Sequence, residues 1–356
     1  MVEFEPDLGA GRMPVTILLG ARGSGKTSVL NRIVRDLSRG PWGVIQNEKG
    51  ATDAKGDWRE LILGQMVPHA VGCLCCVGRS GLVDALRRFY ALRSEESRSS
   101  LGRIVIETAH DADPAPVIQT LLNNALVTQY YRLGTVVCVV KADVTDTELA
   151  KQTHQFKQVV MADHIVITGA ANVAPASLKV LTTRLRRLNP TTAISTDLPG
   201  DTWQDCGYHD ILASGGALGR WLGCEAYTES GDLEGDLHAF SIQLNEPLEW
   251  PVFQSWLDAG LKLNADVIYR VRGALDVVES TGPVIIQGVQ HVFQPPVQLP
   301  AWNAAERCTR MTFVTRDIDR ESVLESLSRD LPIFAERVRA RRWRHERSRV
   351  DPSLPA

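Results

Sequence analysis

Apolar runs alternate with amphipathic stretches along the first half of the chain. Short apolar segments, each typical of a strand buried on both faces, occupy residues 15–19, 43–46, 103–107, 135–141, 164–168 and 192–195. Between them, apolar residues recur at helical spacing over residues 27–37, 80–92, 114–125, 147–161 and 176–188. This alternation predicts an α/β domain over residues 1–198, with a mostly parallel sheet between two layers of helices.

The pattern changes after residue 198. Clusters of glycine, proline and acidic residues interrupt residues 199–236, which we interpret as a linker. Within residues 237–332, short alternating strands and two helical stretches predict a smaller α+β domain. The predicted strands of this domain are 239–243, 265–271, 284–289 and 309–314. Its predicted helices are 252–261 and 320–331. Residues 333–356 form an arginine-rich tail, interpreted as a solvated end rather than a nucleic-acid surface.

A phosphate-binding motif follows the first predicted strand. Residues 20–27 fit the pattern G-x-x-x-x-G-K-[ST], in which backbone N–H groups surround phosphates and the lysine reaches the outer ones. The hydroxyl of Thr27 is the group that this motif presents to Mg²⁺. A strand before the motif and a helix after it are the context that it requires. The predicted nucleotide-binding residues are Gly20, Arg22, Gly23, Ser24, Gly25, Lys26, Thr27 and Ser28.

Three cysteines stand within four residues further on. Cys73, Cys75 and Cys76 follow Gly72 in a segment too rich in glycine for core packing to explain them. Metal binding is the favoured hypothesis, with redox or regulatory thiol chemistry and a structural role as alternatives. Zinc, copper and nickel all bind thiolates, and zinc prefers four ligands, so Glu48 or a residue of a client protein would complete the site.

Composition narrows the class of protein. The chain has 356 residues, of which 44% are hydrophobic, which suggests two domains with real cores. A formal net charge of -3 gives no general reason to expect nucleic acid or membrane as a partner. No apolar stretch approaches the length of a membrane span, and acidic residues occupy positions 3, 5 and 7, so we expect a cytoplasmic protein.

The order of motifs resembles the CobW-type GTPases, relatives of the urease and hydrogenase accessory GTPases. The resemblance rests on the phosphate loop and on residues 47–50 (Asn-Glu-Lys-Gly), 72–76 (Gly-Cys-Leu-Cys-Cys), 107–114, 269–273 and 287–291. It implies that the first domain binds GTP and Mg²⁺ and that the cysteines bind zinc or a similar transition metal. It also implies delivery of that metal to a client metalloprotein. In this scheme Lys26 and Glu107 serve hydrolysis, with Glu107 orienting water or a magnesium-bound water.

Several positions depart from the family pattern, among them Ala51, where the family has an acidic residue. Lys49 replaces a phenylalanine, and His110 stands where a glycine would let the backbone approach the terminal phosphate. The guanine-reading Asn-Lys-x-Asp is replaced by residues 168–171, Thr-Gly-Ala-Ala, so Ala171 stands in place of the carboxylate. We therefore predict relaxed choice between GTP and ATP. The alternative to this loss of the base-reading motif is that the motif lies elsewhere, since residues 141–143 read Lys-Ala-Asp. The alternative to the metal-delivery function is a low-turnover regulator that assists assembly of a metalloenzyme.

Overall fold

The structure is a computed structural model of the chain, and two compact units share its residues. One is drawn mainly from residues 7–226 and the other mainly from residues 227–356. For some residues, including 47–49, 56–62 and 65–69, only the backbone is described. The described residues are 12–35, 42–49, 56–62, 65–69, 79–93, 102–145, 153–189, 192–196, 222, 231–232, 237–263, 267–302 and 307–330.

An eight-stranded sheet forms the centre of the first unit, in the order β4-β3-β2-β5-β1-β6-β7-β8. The six strands from β2 to β8 in this order are parallel, while β3 and β4 add an antiparallel edge. The predicted α/β class is confirmed. The strands are β1 (Met13–Gly20), β2 (Trp42–Lys49), β3 (Gly56–Ile62), β4 (Gln65–His69), β5 (Arg103–Glu107), β6 (Tyr131–Lys141), β7 (His164–Thr168) and β8 (Ala193–Ser195).

Six helices of the first unit are described. They are α1 (Lys26–Arg35), α2 (Arg79–Arg93), α3 (Ala115–Asn123), α4 (Ala125–Thr128), α5 (Thr153–Met161) and α6 (Pro175–Leu188). The apolar face of α1 joins the core through Val29, Leu30 and Ile33, which cluster with buried residues of the sheet such as Leu18 and Val105. This packing fixes the start of α1, and with it the phosphate loop, against the ends of the central strands.

Two local differences from the predicted elements have physical causes. The helix predicted over 114–125 stops at Asn123, because Asn124 adopts an extended conformation and its side chain caps α4 by accepting from two backbone N–H groups. The antiparallel strands β3 and β4 were not predicted. Their sequences mix charged residues with Pro68, and a proline is tolerated because β4 lies at the sheet edge.

The second unit is a mainly antiparallel sheet with two described helices, which confirms the predicted α+β class. Its main strand order is β13-β12-β11-β15-β10-β9, and β14 pairs with β12. The strand predicted at 265–271 instead begins at Ile268 and continues to Leu275. The elements are β9 (Gly231–Asp232), β10 (Leu237–Leu244), α7 (Trp250–Leu263), β11 (Ile268–Leu275), β12 (Val284–Val289), β13 (Val292–Phe293), β14 (Val297–Gln298), β15 (Thr309–Arg316) and α8 (Arg320–Asp330).

Strand β9 lies within residues 199–236, the predicted linker, and it pairs with β10. Most of residues 199–236 lie outside the described part of the chain, as does the arginine-rich tail. Among the helices described for the two units, none is long and apolar enough to cross a membrane.

Acid should destabilise the first unit through His164. Its side chain is buried on β7, where Nε2 lies 2.9 Å from Ser195 Oγ, and burial lowers its pKa to about 4 against the opposing charge of Asp163. The unfolded chain therefore binds the proton more strongly, so stability is lost as pH falls from the unfolded pKa towards the folded one. We expect the free energy of unfolding to drop by about 2 kcal/mol between about pH 7 and about pH 5.

Urea denaturation at the two pH values measures this effect. In the matched variant His164→Gln, the pH-dependent part of the loss should largely disappear. An unchanged pH dependence in that variant would assign the effect to another group.

Candidate nucleotide site

The loop between β1 and α1 owes its shape to three glycines. Gly20, Gly23 and Gly25 have φ angles of 147°, 75° and 91°, which residues with a side chain rarely adopt. A Cβ atom added to Gly20 would lie 2.5 Å from the carbonyl oxygen of Val139, so space also excludes a side chain there. The backbone of residues 20–25 therefore curls into a tight loop immediately before the N-terminus of α1, a geometry that favours anions.

Lys26 folds over this loop. Its Nζ donates hydrogen bonds to the carbonyl oxygens of Gly20 at 2.6 Å and Ala21 at 3.0 Å. Burial lowers the pKa of the ammonium group, and the nearby Glu107 carboxylate acts in the opposite direction. The side chain thus concentrates positive charge at the loop that the sequence predicts to hold phosphates.

The cavity beside the loop is large enough for a polyphosphate. It has a volume of about 430 Å³ and is bordered by the phosphate loop on one side and by the end of β5 on the other. The Ser24 hydroxyl is buried in the loop and has no hydrogen-bond partner, which leaves an unsatisfied polar group. The lining residues are Ala21, Arg22, Gly23, Gly25, Lys26, Thr27, Ser28, Glu107, Thr108, Ala109 and His110.

A chain of hydrogen bonds places the predicted catalytic carboxylate. Thr27 Oγ1 donates to Glu107 Oε1 at 3.3 Å, and Gln46 Nε2 donates to Glu107 Oε2 at 2.6 Å. Glu107 is buried at the end of β5, whereas Gln46 lies on the adjacent strand β2. The structure thus brings Lys26, Thr27 and Glu107 to one cavity. Gln46 was not among the residues predicted from the sequence.

Helix α5 holds the segment that follows Glu107. The Gln158 side chain is fully buried, and its Nε2 donates to the carbonyl oxygens of His110 at 3.3 Å and Ala112 at 3.0 Å. Lys157 forms an ion pair of 2.6 Å with Asp113, whose other carboxylate oxygen accepts from the first backbone N–H of α3. These contacts fix the turn that carries His110 to the cavity wall.

Residues 168–171, which replace the guanine-reading motif, begin at the end of β7. Thr168 Oγ1 donates to the carbonyl oxygen of Ser24 at 2.6 Å, so this residue ties the end of β7 to the phosphate loop. Gly169 has a left-handed conformation with φ 71°, and Ala171 lies in the short 3₁₀ turn that follows. Lys141 and Asp143 at the end of β6 are exposed and form an ion pair of 2.6 Å with each other.

The predicted metal ligands lie largely outside the described residues. Cys73, Cys75 and Cys76 fall in the segment between β4 and α2, and Glu48 belongs to β2 but has an undescribed side chain. In the described part of the chain, no group of three or more His, Cys, Asp and Glu side chains is placed to hold a metal ion. The zinc site therefore stays a prediction.

Sequence patterns did not indicate the contacts of three residues that shape this site. Gln46, Gln158 and Thr168 are single polar residues whose partners lie 61, 48 and 144 positions away in the chain. Their contacts depend on strand register and helix packing, which a local motif does not encode. Their positions offered a sequence signal for two of them. Gln46 ends the parallel pairing of β2 with β5, and Thr168 ends β7, and binding sites form at such ends of parallel strands.

The chain belongs to the CobW family of P-loop proteins. Residues 14–196 match the CobW/HypB/UreG nucleotide-binding domain, and residues 237–331 match the cobalamin synthesis protein CobW C-terminal domain. Because the first match alone spans half of the chain and the second follows it in order, the resemblance inferred from the motifs is confirmed.

Individual relatives match between half and most of the chain. The zinc chaperone YjiA of Escherichia coli is 26% identical over 315 residues, which cover 87% of this chain and 96% of YjiA. Zinc-regulated GTPase metalloprotein activator 1 of Schizosaccharomyces pombe is 27% identical over 184 residues, covering 50% of this chain and 44% of that protein. The crystal structure of Zn(II)-bound YjiA GTPase from E. coli has a TM-score of 0.66 at 20% identity, covering 89% of this chain and 98% of that chain, which shows a shared fold.

Proposed function

We propose that this protein is a nucleotide-dependent zinc chaperone of the cytoplasm, which hydrolyses GTP and passes zinc or a similar transition metal to a client metalloprotein. The observation that carries the proposal is the cavity shared by Lys26, Thr27 and Glu107, joined through Gln46 to the strand that leads to Glu48. The zinc chaperone YjiA, similar over most of its length, supports zinc as the cargo.

The nucleotide is proposed to bind with its phosphates against the loop formed by residues 20–28. Backbone N–H groups of residues 22–25 would meet the phosphate oxygens, and Lys26 would exchange its two carbonyl partners for the outer phosphates. The unpaired hydroxyl of Ser24 and the curled glycine backbone fit an anionic ligand. Binding would replace contacts of the Lys26 ammonium with neutral carbonyl oxygens by contacts with negatively charged phosphate oxygens, which attract the ammonium more strongly.

Magnesium fits the oxygen groups at the same site. Thr27 would hold the ion directly, and the Glu107 carboxylate would hold either the ion or one of its water molecules. Both residues supply oxygen atoms, which are the ligands that Mg²⁺ prefers. When bound, Mg²⁺ neutralises negative charge on the phosphates. Glu107 would then orient water at the terminal phosphate. His110 lines this side of the cavity, where its side chain would keep backbone N–H groups further from the terminal phosphate than a glycine would. We therefore expect slow hydrolysis.

Base choice is predicted to be relaxed. A base pocket built around a carboxylate rejects adenine because the wrong base leaves buried polar groups unpaired, and Ala171 removes that carboxylate. We therefore expect GTP and ATP to bind within about an order of magnitude of each other. Titration calorimetry with both nucleotides measures the ratio.

Restoring the carboxylate with Ala171→Asp provides the matched comparison, and it should shift selectivity towards GTP. A thousandfold preference for GTP in the unaltered protein would show that another acidic residue reads the base.

Zinc is the proposed cargo, held by Cys73, Cys75 and Cys76 with Glu48 or a client residue as the fourth ligand. The experiment that tests the whole function combines nucleotide turnover with transfer of zinc to a metal-free acceptor protein. The proposal predicts that transfer requires GTP and that zinc changes the rate of turnover. Transfer that proceeds equally without nucleotide would contradict it.

A low-turnover regulator that supports assembly of a metalloenzyme is the second candidate. The side chain of His110 at the cavity wall and the absence of a carboxylate at Ala171 favour it. Nucleotide binding with no measurable turnover, together with no transfer of zinc, would place this candidate first.

A further inference from the structure

A short contact between two side chains fixes the carboxylate of Glu107. Gln46 Nε2 lies 2.6 Å from Glu107 Oε2, while the other oxygen, Oε1, accepts from Thr27 Oγ1 at 3.3 Å. Glu107 is only 7% exposed, so most of its surface is in contact with protein rather than with water. A hydrogen bond to a charged acceptor in such a setting contributes more than one between neutral groups. Gln46 therefore restrains the orientation of the Glu107 carboxylate, which keeps one of its oxygens directed towards Thr27.

Gln46 is also part of the strand that leads towards the predicted metal ligands. It pairs with Glu107 in the parallel register of β2 and β5, and the next residues of β2 pair with β3. Glu48 follows two positions later opposite Asp57, and the chain continues through β3 and β4 to the segment that contains the three cysteines. The side chain of Glu107 is therefore in direct contact with the strand that contains Glu48, so a movement of Glu107 would act on that strand.

We propose that Gln46 is a positioning residue that couples Glu107, on the magnesium side of the nucleotide site, to strand β2, which contains Glu48. The proposal rests on the proposed chaperone function. Gln46 holds Glu107 in the orientation that leaves Oε1 beside Thr27, and it transmits a shift of that carboxylate to β2. Gln46 does not line the phosphate cavity. It therefore affects the affinity for Mg²⁺, and the dependence of zinc affinity on the bound nucleotide, more than it affects the affinity for the nucleotide itself.

The test compares Gln46→Met, which keeps the length of the side chain and removes its donor, with the exposed control Gln129→Met in the full-length protein. A fluorescent GTP analogue reports binding and release at a series of Mg²⁺ concentrations. For Gln46→Met, we expect nucleotide affinity at saturating Mg²⁺ to stay within about threefold, while the Mg²⁺ concentration needed for half-maximal retention rises about tenfold. The control should match the unaltered protein in both measurements.

A second measurement follows zinc affinity by competition with a chelator. In Gln46→Met, the ratio of zinc affinities between GTP-loaded and GDP-loaded protein should fall towards one. Gln46→Glu keeps the size of the side chain and places a second carboxylate against Glu107, so its effects should be at least as large. Urea denaturation of each variant separates these effects from loss of folding.

A Mg²⁺ requirement that is unchanged in both Gln46 variants, with the protein folded, would overturn the inference. If the unaltered protein shows no dependence of zinc affinity on nucleotide, the proposed function fails. The Mg²⁺ measurement then decides separately whether Gln46 positions Glu107.

Discussion

Lys26→Ala is expected to weaken triphosphate binding by at least tenfold, which is about 1.4 kcal/mol or more. Lys26 is the ammonium group that contacts the phosphate loop, and in the nucleotide-bound state it would make charge-assisted contacts with the outer phosphates. Alanine also leaves the carbonyl groups of Gly20 and Ala21 without this donor, so the loop loses the two hydrogen bonds that connect it to the side chain of Lys26. Titration calorimetry with GTP in the presence of Mg²⁺ measures the change.

Lys179→Ala is the matched control, because it removes an exposed lysine from α6 on the same domain. It should leave the affinity for GTP unchanged. Equal affinities in the unaltered protein and in Lys26→Ala would remove the phosphate loop from the proposed nucleotide site.

Replacement of Cys73, Cys75 and Cys76 by serine should abolish the high-affinity zinc site. Thiolates supply both charge and strong Zn–S bonds, and a serine hydroxyl remains protonated at neutral pH and binds zinc poorly. The same substitution should remove any difference in zinc affinity between the nucleotide states. Competition with a chromophoric chelator measures both effects, and zinc binding by the unaltered protein should strengthen as pH rises because the ligand is the deprotonated thiol.

The matched control replaces Cys206 and Cys224, two cysteines outside the cluster, by serine, and it should retain the zinc site. Stoichiometric, high-affinity zinc binding that survives loss of the cluster would instead favour the regulator hypothesis.

The local parts of the site were predictable from the sequence. The phosphate loop is encoded by consecutive residues, since Gly20 and Gly25 provide backbone conformations that other residues rarely adopt and Lys26 follows directly. The strands of the central sheet were also visible, because strands buried on both faces are continuous apolar runs. Both features depend on short segments of chain, which is why a pattern reveals them.

The supporting contacts were not predictable in the same way. Gln46 meets Glu107 only because β2 and β5 pair in a particular register, and Gln158 meets the turn at His110 only because α5 packs beside it. The edge strands β3 and β4 were missed because neither apolar periodicity nor composition marks them, and Pro68 argued against a strand. Such contacts depend on tertiary structure rather than on sequence spacing.

Zinc affinity measured separately in GTP-loaded and GDP-loaded protein tests the central claim most directly. The account predicts a difference of roughly five- to a hundredfold, because coupling between two ligands is typically about 1–3 kcal/mol and must be reciprocal. The reciprocal experiment, GTP and GDP affinity with and without zinc, should give the same factor. Zinc affinities that are equal in the two nucleotide states would contradict the account.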